Sequence, residues 1–310
     1  MNEIDWIARD EKLQHLMRSV QAGRIVHALL FTGGRGTGKR TAAGWFARAM
    51  LCTGAEMPCG ACPACKKVLA GLHPDMRVLR PEKNAIRVDE IRDLIDYLAL
   101  KPYEGGRHIA IIEQADRMND SAQNALLKSL EEPSDSAMFI LLAESPGALL
   151  DTIVSRCRVV RFHELAPDDC ARTLEQRGIS PERARTLAGV ARGSVGRALE
   201  MAADEGFLAL RGRVIDSLEA LGRSTAADAA AMVAPEKGSE RNALDLMELW
   251  ARDLMAVQNG AEPFERDQLA RLSRSKLDGQ RLLRAVMRAR RELESNVSWD
   301  NVLSAMYFSI

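Results

Sequence analysis

The stretch ALLFTGGRGTGKRTAAGWFARAML, residues 28 to 51, constrains the fold more than any other part of the chain. A short apolar run meets a loop containing Gly33, Gly34, Gly36 and Gly38, and a helix-forming segment follows at once. A strand that turns through glycines into a helix opens a βαβ unit, and its loop N–H groups and helix N-terminus form an anion cradle. Gly33 and Gly38-Lys39 have the spacing of a phosphate-binding loop, which makes Gly33, Gly38, Lys39 and Thr41 the candidate ligand-binding residues. The place after the lysine ordinarily carries Ser or Thr, whose hydroxyl holds Mg²⁺. Here it carries Arg40, a permanently charged guanidinium, and Thr41 comes one residue late and faces another way on the helix. The bland alternative is a Gly-rich turn with no ligand. The strand–loop–helix context argues instead for descent from nucleotide-binding loops, and descent is not activity.

The first 165 residues keep the βαβ rhythm, an α/β fold with a mostly parallel sheet. Strands are expected at 28–32, 76–80, 108–113, 138–143 and 158–162, and helices over KRTAAGWFARAML, VDEIRDLIDYLAL and SAQNALLKSLEEP. In the second helix Ile91, Leu94, Ile95 and Leu98 share a face; in the third, Ala125, Leu126, Leu127 and Leu130 form the expected core stripe, with Glu131-Glu132 as a helix end before Pro133. Nucleotide hydrolases of this architecture usually end the strand IAIIE with Asp-Glu, one for the metal and one to polarise water. This chain has Glu113-Gln114 there, so a base at 114 is absent, and together with Arg40 this points to a loop without hydrolysis. Strand signals stop after 165. Two short helices closed by Gly178 and Gly193 suggest a helical module over 166–204, and the pattern is helical from 205 to 310.

Cys52, Cys59, Cys62 and Cys65 fall together among turn-forming Gly54, Pro58, Gly60 and Pro63. Four thiolates at short spacing suit a tetrahedral structural Zn²⁺. The other readings are a disulfide pair, which a reducing cytosol disfavours, an iron–sulfur cluster, and CxxC redox chemistry, which needs only two of them. Cys157 and Cys170 stand alone and read as small buried hydrophobes. The 43 basic and 43 acidic residues cancel, so no cationic surface for nucleic acid follows from composition. Neither a secretory pattern at the amino terminus nor an apolar run of membrane-spanning length occurs, so the expectation is a cytoplasmic protein with no membrane partner.

Several stretches together carry a resemblance: the four cysteines after the first helix, HPD at 73–75 with RPEK at 80–83, NALLKSLEEP at 124–133, and SRC at 155–157. The chain resembles the clamp-loader subunits of bacterial replicative DNA polymerase, within the AAA+ ATPases, strongly to about residue 200 and by architecture beyond. That resemblance implies an AAA+ domain over 1–165 with a zinc module at 52–65, a helical lid over 166–204 and a collar for subunit association over 205–310. Motor subunits of the family carry an intact loop, an Asp-Glu strand end and a sensor arginine in the lid. This chain departs at each place, with Gly196 at the sensor position and Arg197 next to it, and is similar to the non-hydrolysing kind of subunit. The resemblance further implies that Arg156 acts in trans on a neighbour's ATP, an arginine finger. Read without it, Arg156 is a surface arginine that caps a helix end or pairs with a carboxylate. The implied partners are the tau/gamma motors, the delta subunit, the sliding clamp and primed DNA. Binding of ATP by this chain's own loop is doubtful. A motor-type ATPase, or a zinc and nucleotide scaffold outside replication, are the competing readings. Lys128 reads as a solvated charge.

Overall fold

The computed structural model describes residues 11–22, 26–81, 85–104, 106–221, 224–233, 238–295 and 297–310, and the chain divides into two compact units, 1–164 and 165–310. Residues 1–10, Glu82 and Lys83 of the RPEK stretch, and 235–237 lie outside the described residues.

The first unit contains α1 (Glu11–Gln21), β1 (Ala28–Thr32), α2 (Lys39–Leu51), α3 (Pro63–Leu69), β2 (Met76–Leu79), α4 (Val88–Ala99), β3 (His108–Ile112), α5 (Asp120–Glu131), β4 (Ala137–Ala143), α6 (Asp151–Val154) and β5 (Arg158–Arg161). All strand pairs are parallel and the order is β2-β3-β4-β1-β5. β1, β3 and β4 are buried along their whole length. This is why they read as unbroken apolar runs rather than as alternating ones. Alternate side chains feed two cores. Leu29, Phe31, Ile109, Ile111, Ile140 and Leu142 pack with α1 and α2, and Ala28, Leu30, Ala110, Ile112, Phe139 and Leu141 pack with α4, α5 and α6. Because the strands are parallel, the loops after β1, β3 and β4 emerge at one edge, the position at which α/β sheets bind ligands.

Two expectations change in detail. The buried stripe of α5 is Ala122, Gln123, Leu126 and Leu130, whereas Ala125 and Leu127 are half-buried. Gln123 earns its buried place by hydrogen bonding, donating to the Met118 carbonyl at 3.1 Å and accepting from the Leu150 N–H at 2.8 Å. Pro63 is not a turn residue but the first residue of α3, with Cys62 as its N-cap.

The second unit is helical: α7 (Pro167–Glu175), α8 (Pro181–Val190), α9 (Val195–Ala202), α10 (Phe207–Ala220), α11 (Ala226–Ala231), α12 (Glu240–Gln258), α13 (Leu269–Leu272), α14 (Gly279–Glu294) and α15 (Trp299–Phe308). Gly178 and Gly193 close α7 and α8 with φ of 88° and 82°, the left-handed conformation of a helix C-cap. Ala243, Leu244, Leu246, Met247, Leu249, Trp250, Ala251 and Leu254 of α12 are all buried within this unit, so the apolar content of that helix is used inside its own bundle. Among the described residues no helix is long and apolar enough to cross a membrane.

Candidate functional site

The loop between β1 and α2 has the backbone its glycines promise. Gly33 has φ of 146°, and a Cβ there would lie 2.2 Å from the Phe162 carbonyl oxygen. Gly38, the N-cap of α2, has φ of 93°. The lysine, however, is turned inward. Lys39 Nζ donates to the carbonyl oxygens of Gly33 at 2.5 Å and Gly34 at 2.8 Å, and Thr37 Oγ1 donates to the Gly34 carbonyl at 2.8 Å. Burial lowers the Lys39 pKa from its ordinary value, against the opposing pull of Glu144, Asp116 and Glu164. The loop's half-buried cation thus lies near three carboxylates. Thr41 is half-buried on α2.

The two positions at which the sequence departs from the expected phosphate-loop and strand-end residues meet each other. Arg40 Nε lies 3.1 Å from Glu113 Oε1, and Arg80 Nε lies 3.2 Å from the same oxygen. Glu113, just past β3, stands where a metal-holding Asp is expected and is only 13% exposed. Two guanidinium groups already neutralise it, so a divalent cation would have to displace at least one of them. Gln114 follows with φ of 52° and begins the turn into Ala115–Arg117. Sequence reading identified Arg40 and Glu113 separately, and it missed both their pairing and the contribution of Arg80.

Ser155-Arg156-Cys157 forms a corner between α6 and β5 in which each residue has a different task. Cys157 is buried in the core beside α5, and burial pushes its thiol up to about 12. Ser155 Oγ donates to the Thr152 carbonyl at 3.1 Å and accepts from Arg156 Nη1 at 3.4 Å. Arg156 Nη1 also donates to the Thr152 carbonyl at 2.9 Å, and its Nη2 lies 2.7 Å from Glu131 Oε1. Arg156 therefore caps the end of α6 and pairs with a carboxylate, as its residues alone suggested.

Cys52, Cys59, Cys62 and Cys65 converge so that their sulfurs all lie within 4.8 Å of one another. The Cys52–Cys62 and Cys59–Cys65 separations are both 3.9 Å. A tetrahedron with metal–sulfur bonds of about 2.3 Å has edges of roughly 3.8 Å, so this donor set fits a four-thiolate metal ion. Backbone N–H groups point at the sulfurs: Gly54 and Cys59 at Cys52, Cys62 at Cys59, and Cys65 at Cys62. The N–H groups of Cys65 and Thr53 pull the Cys62 thiol down to about 5, while burial pushes Cys65 up to about 12. A Cβ at Gly54 would come within 2.8 Å of Cys59 Sγ, so a larger residue there would have to push that sulfur aside.

In the helical unit, Arg197 is engaged by Asp245, and Arg290 joins Asp245 at 2.7 Å and Glu248 at 3.0 Å. Arg192 and Arg252 complete the ring around Glu248. Arg197 is thus tied into an ionic cluster of its own unit, built on the buried carboxylates of Asp245 and Glu248.

The family described as "DNA polymerase III, delta subunit" matches residues 8–166. The DNA polymerase III subunit delta' of Bacillus subtilis is 32% identical over 318 aligned positions, covering 97% of this chain and 96% of that one. The subunit tau of the same organism is 36% identical, but over 52% of this chain and 29% of its own length. Against several other delta' subunits the chain likewise spans about half the relative's length. Among solved structures, a DNA polymerase III gamma-subunit-related protein of Thermotoga maritima has the same fold, with a TM-score of 0.50 at 17% identity over 95% of this chain and 99% of that one. Kinship with tau is confined to about half of the chain, whereas kinship with delta' of Bacillus subtilis runs through both units, and the chain belongs to the DNA polymerase III subunit delta' family.

Proposed function

We propose that this chain is the non-hydrolysing subunit of a replicative clamp loader, lending Arg156 to the ATP site of an adjacent motor subunit. The observation that carries the reading is the joint engagement of Arg40 and Arg80 by Glu113. The charge that Mg²⁺ would supply is provided by side chains of the chain itself, and Lys39 is spent on the loop's own carbonyls. A motor-type subunit needs that carboxylate free and that lysine turned to phosphate.

In this reading residues 1–165 form the AAA+ domain, 166–204 its lid and 205–310 the collar. The partners are tau/gamma-type motors and a delta subunit, which together place a sliding clamp on primed DNA. A guanidinium delivered to a neighbour's γ-phosphate stabilises charge in the transition state. The test is ATP turnover by the assembly reconstituted with clamp and primed DNA. Arg156→Ala should cut turnover and Lys39→Ala should leave it unchanged; the reverse pattern would make this chain a working ATPase.

The four-cysteine site is assigned to Zn²⁺, which suits four thiolates in a closed tetrahedron and leaves no open position for catalysis. When bound, the ion ties the 52–65 loop to α2 and α3. Such sites contribute on the order of 10 kcal/mol to folding a segment too small for its own core. One zinc per chain by elemental analysis is expected. Chelation or Cys59→Ser should open residues 52–69 to protease while the sheet stays protected. A full zinc complement in Cys59→Ser would refute the assignment.

A further inference from the structure

We infer that Glu131 is a positioning residue for Arg156, holding the guanidinium in an ordered, displayed state before the neighbouring nucleotide arrives. The inference rests on the trans-acting role proposed above and adds a second residue, on a different element, to it.

The geometry has three parts. Glu131 Oε1 receives Arg156 Nη2 at 2.7 Å across the gap between α5 and α6, within the range of a charge-assisted hydrogen bond. Thr152 O and Ser155 Oγ receive Nη1 at 2.9 and 3.4 Å. These contacts use three of the five N–H donors of a guanidinium and fix its plane through both terminal nitrogens. Among the described residues the Nε–H and the second Nη2–H have no partner, so a phosphate oxygen can be met without breaking any contact.

The placement of Glu131 has little to recommend it on stability grounds. It is the last residue of α5, at the negative end of the helix, where a carboxylate is disfavoured. It is also 48% exposed and Arg156 34% exposed, so solvent screens the pair and its contribution to folding is small. Ordering the arginine is where the pair matters. A free arginine side chain carries rotamer entropy, which a finger arriving disordered would have to lose in the transition state. The Ser155 and Thr152 contacts alone leave the guanidinium free to swing about Nη1.

The test uses the assembly reconstituted with clamp and primed DNA. Glu131→Ala should lower kcat about twofold to fivefold with KM for ATP unchanged, the span open to an exposed ion pair. Glu131→Gln, which keeps an oxygen acceptor at the same reach, should restore most of it. Arg156→Ala/Glu131→Ala should be no slower than Arg156→Ala alone. The melting temperature of the free chain should be the same for wild type and both Glu131 variants, which separates positioning from a structural role. If Arg156→Ala slows turnover while Glu131→Ala equals or exceeds wild type, the carboxylate is inert or a brake and this inference is wrong while the finger stands. If Arg156→Ala itself has no effect, the finger falls, and the inference with it.

Discussion

Glu113 and Glu131 each hold arginine in the α/β unit, but the first carboxylate takes two guanidinium groups and the second takes one. Glu113, 13% exposed at the end of β3, takes Arg40 and Arg80 on a single oxygen, so the local charge is already positive before any metal approaches. Glu131, half open to solvent at the end of α5, takes one arginine that spends its other terminal nitrogen on neutral acceptors. At the first site the carboxylate oxygen is already shared by two guanidinium groups; at the second the guanidinium keeps donors to offer. On the function proposed above, the same side-chain chemistry would close one site and prepare the other, with stoichiometry and solvent deciding which.

The largest effect that would break this contrast is at Arg156. Arginine fingers are worth about 10³ to 10⁵ in rate, so on the proposed trans role Arg156→Ala should slow the completed neighbouring site by about a thousandfold or more. Arg156→Lys should recover little, because an ammonium is a point charge that cannot meet carboxylate and phosphate with separate edges. Lys39→Ala should change turnover by less than twofold on the same scale. Single-turnover hydrolysis by the reconstituted assembly measures all three.

A third carboxylate sharpens the contrast, with a smaller effect. Glu265 in the helical unit also holds an arginine, Arg211, at 2.9 Å, but burial together with Asp253 and Asp267 nearby pushes its pKa up to about 7. Arg211 is shared with Asp267 at 2.7 Å, and Asp253 is occupied by the N–H groups of Phe264 and Glu265. Arg211 holds the more exposed Asp267 below its ordinary value, whereas at the buried Glu265 burial outweighs the same guanidinium. A carboxylate whose folded pKa lies above its unfolded value of about 4.5 binds more protons in the folded state through that interval. Its contribution to stability is therefore present at acid pH and lost as pH rises through about 7. The full linkage would be up to about 3 kcal/mol. Denaturant unfolding of the full chain at pH 5 and pH 8 should show the loss, and Glu265→Gln should flatten it. Equal slopes for both proteins would show that Glu265 is ionised when folded.

The sheet was legible because β1, β3 and β4 are buried on both faces and so appear as uninterrupted apolar runs. The cysteine cluster was legible because its ligands are close in sequence. What sequence spacing did not reveal is pairing between distant positions. Nothing local joins Arg40 to Arg80 and Glu113, or Arg156 to Glu131, since parallel strands bring residues together through crossovers rather than hairpins. Gln123 was passed over for a related reason. A buried amide is recognisable only once its two partners, the Met118 carbonyl and the Leu150 N–H, are in place. α3 escaped because Pro63 serves turns and first helical positions equally well, and only the N-cap role of Cys62 decides between them.

The smallest effect is the one that asks whether the closed site can be reopened. Arg40→Thr removes one cation from Glu113 and restores a hydroxyl, Glu113→Asp shortens the acid away from Arg80, and Gln114→Glu returns a base. If the glycine backbone is all that a phosphate loop requires, the triple variant should bind a fluorescent ATP analogue about tenfold more tightly with Mg²⁺ than without it, a difference of ~1.4 kcal/mol. The unmodified chain should show no such metal dependence. Lys39 sets the ceiling on the gain, because its ammonium must first leave the carbonyls of Gly33 and Gly34, and Glu144, Asp116 and Glu164 remain around it. Hydrolysis should stay absent, since the three changes restore a metal shell without supplying the arginine of a neighbour. A metal-dependent gain in the unmodified chain would mean that Mg²⁺ displaces Arg40 unaided, and Glu113 would then be no more closed than Glu131.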